Sequence, residues 1–261
     1  MGKGTAAGNG WRDLEEELDA WADGDRAADL WWRDDDARGP TPALRRLLAL
    51  SDETSIPLTL AVVPLGTEIA LAQVLEAVPG VKVIQHGYAH VNHGGADGKK
   101  AELAAGRPAE EALGELIRGR RRLTDLFDGR FHAVLAPPWN RIDPLLVPAL
   151  PGAGFRGLSA FGARQSVEPA PGLIQGNCHV DIVDWRGSRG FVGEEAALAA
   201  IVDHLAWRRR CEADAEEATG ILTHHLVMDD ACWAFLATLM ARTQAHRAVR
   251  WLDVEEALWL G

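Results

Sequence analysis

The chain has 261 residues, 47% hydrophobic and 25% charged, a length that allows one large domain or two small ones with a core that needs no staples. A formal net charge of −11 argues against nucleic acid or an anionic membrane surface as a partner. Three widely separated cysteines, Cys178, Cys211 and Cys232, with no CxxC pair, argue against a disulfide framework and suit a reducing compartment.

The N-terminal "MGKGTAAGNGWRDLEEELDAW" carries charge where an export signal needs an apolar region. No stretch reaches the roughly 18 apolar residues of a membrane span. The expectation is a cytoplasmic protein with no membrane partner.

Residues 1–10 form a glycine-rich tail. Trp11, Leu14, Leu18 and Trp21 then recur on one helical face, with Gly24 as a stop. "ADLWWRDDDA" (28–37) reads as a buried strand ending in acids, and Thr41–Pro42 open a helix through "ALRRLLALSDE". "IPLTLAVVP" is a strand, "GTEIALAQVLEAVPG" a helix, and "VKVIQHG" a strand running into histidines. "PAEEALGELIRGRRRLTDLF" is a long amphipathic helix whose "RGRRR" reads as a solvated face. "FHAVLAPPW" is a strand, "DPLLVPAL" a short helix, "GFRGLSAF" a strand, and "GLIQGNCHVDIVDW" a strand pair or one long strand. "EEAALAAIVDHLAWRRR" is a helix, "TGILTHH" a strand and "DDACWAFLATLMARTQ" a helix; "VRWLDVEEALWLG" adds a short strand and a helical turn.

Six or seven strands alternating with helices imply parallel βαβ units. The expected fold is a single barrel-like α/β domain, with a doubly wound open sheet as the runner-up. No GxGxxG or GxxxxGK[ST] loop occurs.

Function in parallel α/β folds gathers at the carboxyl ends of strands. Five predicted strand ends carry unusual polar groups: "DDD" at 34–36, "HGYAHVNH" at 86–93, "PPWNR" at 137–141, "DIVDW" at 181–185 and "THH" at 223–225. Each alone has a plain structural explanation, as a cap, a turn or a surface histidine; together on one face they define a candidate site. Two imidazoles and a carboxylate suit a divalent ion such as zinc, with positions left for water and substrate. His86 and His90 face one point if 86–90 makes a helical turn. A second carboxylate can take a proton from water, and a histidine opposite can protonate a leaving group, the outline of metal-assisted hydrolysis.

These residues resemble, over about 28–226, the motifs of the polysaccharide deacetylase family (carbohydrate esterase family four, the NodB-homology domain) in a divergent form. "RDDDA" is similar to T-F-D-D-G, which implies Asp35 as general base and Asp36 as metal ligand, with Asp34 extra and open to a one-residue shift in register. "HGYAH" is similar to H-[ST]-x-x-H-P, implying His86 and His90 as ligands; Gly87 and Val91 depart from it. "APPWN" matches R-x-P-x-G loosely, with Ala136 where the base-orienting arginine belongs and Asn140 where the glycine belongs, so that Arg33 or Arg141 is left to supply the charge. "DIVDW" is intact, with Asp181, Asp184 and Trp185 supporting the site. "LTH" implies His224 as general acid, followed by His225.

The resemblance implies a distorted (β/α) barrel of about seven parallel strands, with residues 1–27 as tail and helix and 28–261 as the catalytic domain. It implies a metal-dependent hydrolase of amide C–N bonds acting on an N-acetylated amino sugar or related small-molecule or carbohydrate substrate. The cofactor is a divalent metal: Zn2+ first, with Co2+, Ni2+ or Fe2+ as alternatives. Trp139 and Trp185 would wall the pocket, and His93 is a substrate contact or merely exposed. A cytoplasmic location favours a soluble substrate over a polymer. Two rivals stand: a non-catalytic metal- or carbohydrate-binding protein on this scaffold, and a cysteine hydrolase using Cys178 and His179, disfavoured because neighbours on a strand point to opposite faces.

Overall fold

A computed structural model describes residues 10–95 and 98–260; the glycine-rich stretch 1–9 lies outside them. Helix α1 (Gly10–Asp23) buries the stripe Leu14, Leu18 and Trp21, and its Glu17 pairs in bidentate fashion with Arg209 of α5 (Glu194–Arg209). Strand β1 (Ala28–Ala37) spans the predicted strand and leads to α2 (Pro42–Thr54), where Thr41 caps the Leu44 amide and Pro42 stands in the first turn. Then follow β2 (Leu58–Val62), α3 (Ile69–Leu75), β3 (Val81–His86), α4 (Ala109–Phe127) and β4 (Phe131–Ala136). Three two-residue strands come next, β5 (Gly157–Leu158), β6 (Ile174–Gln175) and β7 (Val180–Asp181). After α5 the chain closes with β8 (Thr219–Thr223), α6 (Asp230–Gln244), β9 (Val249–Leu252) and α7 (Val254–Ala257).

Two predictions shrink. The helix over "DPLLVPAL" is only a 3₁₀ turn, Val147–Ala149, because Pro144 and Pro148 remove amide donors. The strand over "GFRGLSAF" pairs regularly only at Gly157–Leu158.

Every strand pairing is parallel, in the order β6-β5-β4-β3-β2-β1-β8-β7, with β9 beside the first half of β1. The run 174–181 serves both edges. Cys178 N donates to Ala160 O beyond β5 (3.0 Å), and the next amide, His179 N, donates to Gly220 O of β8 (2.7 Å). The sheet therefore curls into a distorted (β/α) barrel.

Alternation on the strands sorts the core into two layers. Trp31, Ala61, Ile84, Val134, Ala136, Cys178 and Leu222 fill the interior together with Val254, Ala257 and Leu258. Leu30, Trp32, Leu60, Val83 and Ile221 face the surrounding helices. Arg33 and Asp35 continue the inward series of Trp31, His86 that of Ile84, and His224 that of Leu222. Asp34 continues the outward series of Trp32, and His225 follows Thr223 on the same outer side.

Candidate metal centre and catalytic groups

Asp36, His86 and His90 converge. Asp36 Oδ1 lies 3.2 Å from His86 Nε2 and 3.2 Å from His90 Nε2, and one donor atom from each residue falls within 4.8 Å of the others. Donors about 2.0–2.2 Å from a common ion are roughly 3.0–3.4 Å apart in octahedral or tetrahedral geometry, so this spacing fits a divalent metal. Strict alternation would send Asp36 outward with Asp34. A register irregularity between Asp34 and Ala37, with Asp36 at φ 78°, re-aims it toward the histidines. Burial opposes its charge, yet His86, His90 and His224 hold its carboxyl well below the usual range.

The expected helical turn at 86–90 is not what brings the histidines together. Gly87 and His90 both take positive φ, 57° and 58°, in a non-helical loop. Residues 87–90 are held by their backbone: Gly87 O accepts from Gln85 Nε2 (2.8 Å), Ala89 O from Arg38 Nη2 (2.9 Å), and the Tyr88 and Ala89 amides donate to Glu102 (3.1 and 2.7 Å). Trp139 packs on His90 with ring centroids 4.3 Å apart.

Asp35 stands beside this cluster, 3.9 Å from His86 Nδ1. It is gripped by Arg33, with Nε 2.9 Å from Oδ1 and Nη2 donating to Oδ2 at 3.1 Å. The remaining donors of Arg33 reach Ser159 Oγ (2.7 Å), Ser159 O (2.9 Å) and Asn140 Oδ1 (2.6 Å). Both charged groups are buried, Arg33 at 0% and Asp35 at 1% exposure, so each neutralises what would be an isolated buried charge. Burial works to lower the Arg33 pKa, but Asp35 outweighs it and the net shift is upward. Of the two arginines the sequence leaves open, Arg33 is thus the one in contact with Asp35. Arg141 is elsewhere: exposed, it donates to Lys100 O (2.7 Å) and lines a cleft of about 520 Å³ with Asn140, Lys99, Leu103 and Asp143. Asn140 adopts φ 55°, a left-handed backbone that suits the glycine of the resembled motif and that asparagine tolerates.

Across the mouth, His224 Nε2 lies 4.0 Å from Asp35 Oδ2, and its Nδ1 faces Asp181 Oδ1 at 3.8 Å. Trp185 meets the His224 ring edge-on at 4.7 Å and donates from Nε1 to Asp181 Oδ2 (2.7 Å). Burial raises the Asp181 pKa despite His224.

Other predicted residues fall away from this cluster. Asp34 pairs with His225, Oδ1 to Nδ1 at 2.5 Å, and its other oxygen accepts from Thr223 Oγ1 and the His225 amide. That pair sits on the outer side of the sheet, which places Asp35 and Asp36, not Asp34, at the mouth. Asp184 caps its own turn, accepting from the Arg186, Gly187 and Ser188 amides. His93 is exposed, and its amide donates to Ala101 O. Cys178 and His179 form no dyad: burial pushes the Cys178 thiol up to about 12, while His179 stacks on His204 with ring centroids 3.5 Å apart.

His179, His204 and Glu217 form a second trio of donors within 4.8 Å. It is unsuited to a metal. The rings are 19° from parallel, so their lone pairs lie in separate planes and share no point. His179 Nδ1 accepts from Gly220 N, leaving its proton on Nε2 beside Glu217 (3.4 Å). Thr219 Oγ1 accepts from Arg208 (3.0 Å) and shares a hydrogen bond with His204 Nδ1 (2.9 Å), so that nitrogen is also engaged within the protein. Burial lowers the pKa of both rings, and His179 presents Nε2–H, a donor and not a ligand.

Two contributors escape sequence reading. Ser159 is the partner of Arg33 two positions beyond Gly157 on β5, and Glu102, fully buried, arrives from a loop with no motif around it.

No family model matches the chain, and no curated protein is similar to it. Solved structures do share its fold. A candidate polysaccharide deacetylase from Mycobacterium smegmatis superposes with a TM-score of 0.60 at 15% identity, covering 90% of each chain. A family 4 acetyl xylan esterase from Clostridium thermocellum, solved with cobalt, gives 0.55 at 14% identity over 89% of this chain and 91% of that one. A CE4 pseudoenzyme from Bacillus anthracis gives 0.55 at 14% identity over 89% of this chain and 66% of that one. The chain has the distorted (β/α)-barrel fold of these polysaccharide deacetylases and carbohydrate esterases.

Proposed function

We propose that the protein is a metal-dependent hydrolase of amide C–N bonds, an N-deacetylase of an amino sugar or a related small acetylated molecule. The observation that carries this reading is the position of Asp35: locked by a buried arginine, it lies between the ligand trio and a histidine 4.0 Å away. A base, an acid and a cation site on three inward strand ends are the parts that hydrolysis requires.

Asp36, His86 and His90 would hold the cation, which supplies Lewis acidity toward the acyl oxygen and toward water when bound. Two imidazoles and a carboxylate suit zinc, and also cobalt, nickel or iron(II). Asp35 accepts the proton of the attacking water. Arg33 fixes its carboxylate in place, the duty the resembled motif gives to an arginine on another strand. His224 donates a proton to the departing amine nitrogen, oriented by Asp181 on its Nδ1 side. Trp139 and Trp185 flank the cation site and the acid as apolar walls.

The likeness to a pseudoenzyme favours a second reading, a non-catalytic metal- or carbohydrate-binding protein on the same scaffold. Acetate release from a panel of N-acetylated amino sugars by zinc-loaded protein separates the two. Turnover by the wild type that disappears in Asp35→Asn supports the enzyme. Zinc and sugar binding with no acetate release from any substrate supports the binder.

A further inference from the structure

Glu102 is a carboxylate with no exposure to solvent, and it makes no salt bridge among the described residues. Its two oxygens are spent on consecutive amides of the loop between His86 and His90: Oε2 accepts from Tyr88 N at 3.1 Å and Oε1 from Ala89 N at 2.7 Å. The next residue, His90, holds the left-handed φ of 58°, an uncommon state for a residue with a side chain, which persists only where its surroundings impose it. Gly87 belongs to the same fit. It has φ 57°, and a Cβ there would collide with Glu102 Oε2 and with Pro138 Cδ and Cγ. The serine or threonine of the resembled motif has no room at this position, so the loop is braced from outside by a distant carboxylate.

We propose that Glu102 is a positioning residue for the metal centre: it clamps the Tyr88 and Ala89 amides and thereby sets His90 Nε2 opposite Asp36. Burying a carboxylate is costly unless hydrogen bonds replace its water, and here two charge-assisted bonds do so. Glutamine keeps one acceptor oxygen and turns an NH2 donor toward the other amide, so one bond is weakened and one is lost. Removing the side chain leaves two amides without partners, and the loop can relax out of the left-handed state, which costs the trio one ligand. The proposal rests on the reading that Asp36, His86 and His90 bind a divalent ion.

The test is zinc affinity, measured by competition with a chromogenic chelator, beside the melting temperature of the metal-free protein. For Glu102→Gln we expect zinc binding about 10-fold to 100-fold weaker, as for other residues that orient metal ligands, with a metal-free melting temperature close to wild type. Added zinc at saturating concentration should return the variant's activity toward that of wild type. Should Glu102→Gln fail to fold, Glu102→Asp makes the same test with the charge retained and the reach shortened, and the same selective loss is expected. Wild-type zinc affinity in the folded variants would overturn the proposal, as would a loss of affinity matched by equal loss of metal-free stability. If the wild type itself binds no divalent metal, the functional reading fails and not merely the role of Glu102.

Discussion

Arg33 and Asp35 meet side by side on the inner face of β1, guanidinium against carboxylate, with neither reaching solvent. Lysine cannot reproduce a two-point contact while also reaching Ser159 and Asn140. Arg33→Lys should therefore lower kcat/KM about 100-fold, the scale of an ångström-level misplacement, with zinc binding unchanged. Arg33→Ala leaves the buried Asp35 charge without its partner and should cost about 3–5 kcal/mol in denaturant unfolding. Wild-type kinetics in Arg33→Lys would remove the residue from the mechanism.

Asp35→Asn keeps the shape of the side chain and removes its basicity. Turnover should fall about 100-fold to 10,000-fold, with metal content and melting temperature close to wild type. A matching loss of metal would instead make Asp35 a ligand.

His86→Ala and His90→Ala should each abolish tight metal binding. Zinc at 100 times its Kd should stabilise the wild type by about 2.7 kcal/mol and stabilise neither variant. Thermal melts with and without chelator read this directly, and equal zinc responses in all three proteins would dismantle the centre.

The His179–His204 stack predicts acid sensitivity. Burial, with His179 and Arg208 adding to it, pushes His204 down to about 2, and burial also lowers His179 against the pull of Glu217. Both groups bind protons more weakly folded than unfolded, so their contribution to stability is full above the unfolded value of about 6.5 and declines as pH falls below it. One such group contributes a slope of about 1.4 kcal/mol per pH unit. His204→Gln should flatten the fall in unfolding free energy between pH 6 and 4 by roughly that amount per unit. An unchanged slope would show that this stack does not govern acid unfolding.

Much of the fold was legible because strand and helix periods differ. "ADLWWRDDDA" and the helix opened by Thr41–Pro42 could be read directly, whereas for "GFRGLSAF" and "GLIQGNCHVDIVDW" strand character was legible but not the two-residue extent of the pairing, which depends on barrel curvature that no local pattern encodes. The two-residue repeat also sorts the acidic cluster: Trp31, Arg33 and Asp35 share a face, and Asp34 belongs to the other. Asp36 breaks that repeat through a backbone irregularity with no distinctive residue to announce it. The convergence of His86 and His90 was anticipated with the wrong backbone, because the loop depends on Glu102, distant in sequence and outside every motif. Arg33 and Arg141 were both visible as arginines near the motifs; that Arg33 is the one against Asp35, with Ser159 and Asn140 beside it, is a matter of barrel geometry.

Placing that arginine on β1 has a consequence for assembly. A pairing between β1 and β4 would have to close a long loop of chain, with its entropy cost, before base and guanidinium could meet. Between Arg33 and Asp35 there is a single intervening residue, so their encounter is already local once β1 is extended. Ser159 and Asn140 then join as the barrel closes, completing from the rest of the chain a pair that one strand has brought together.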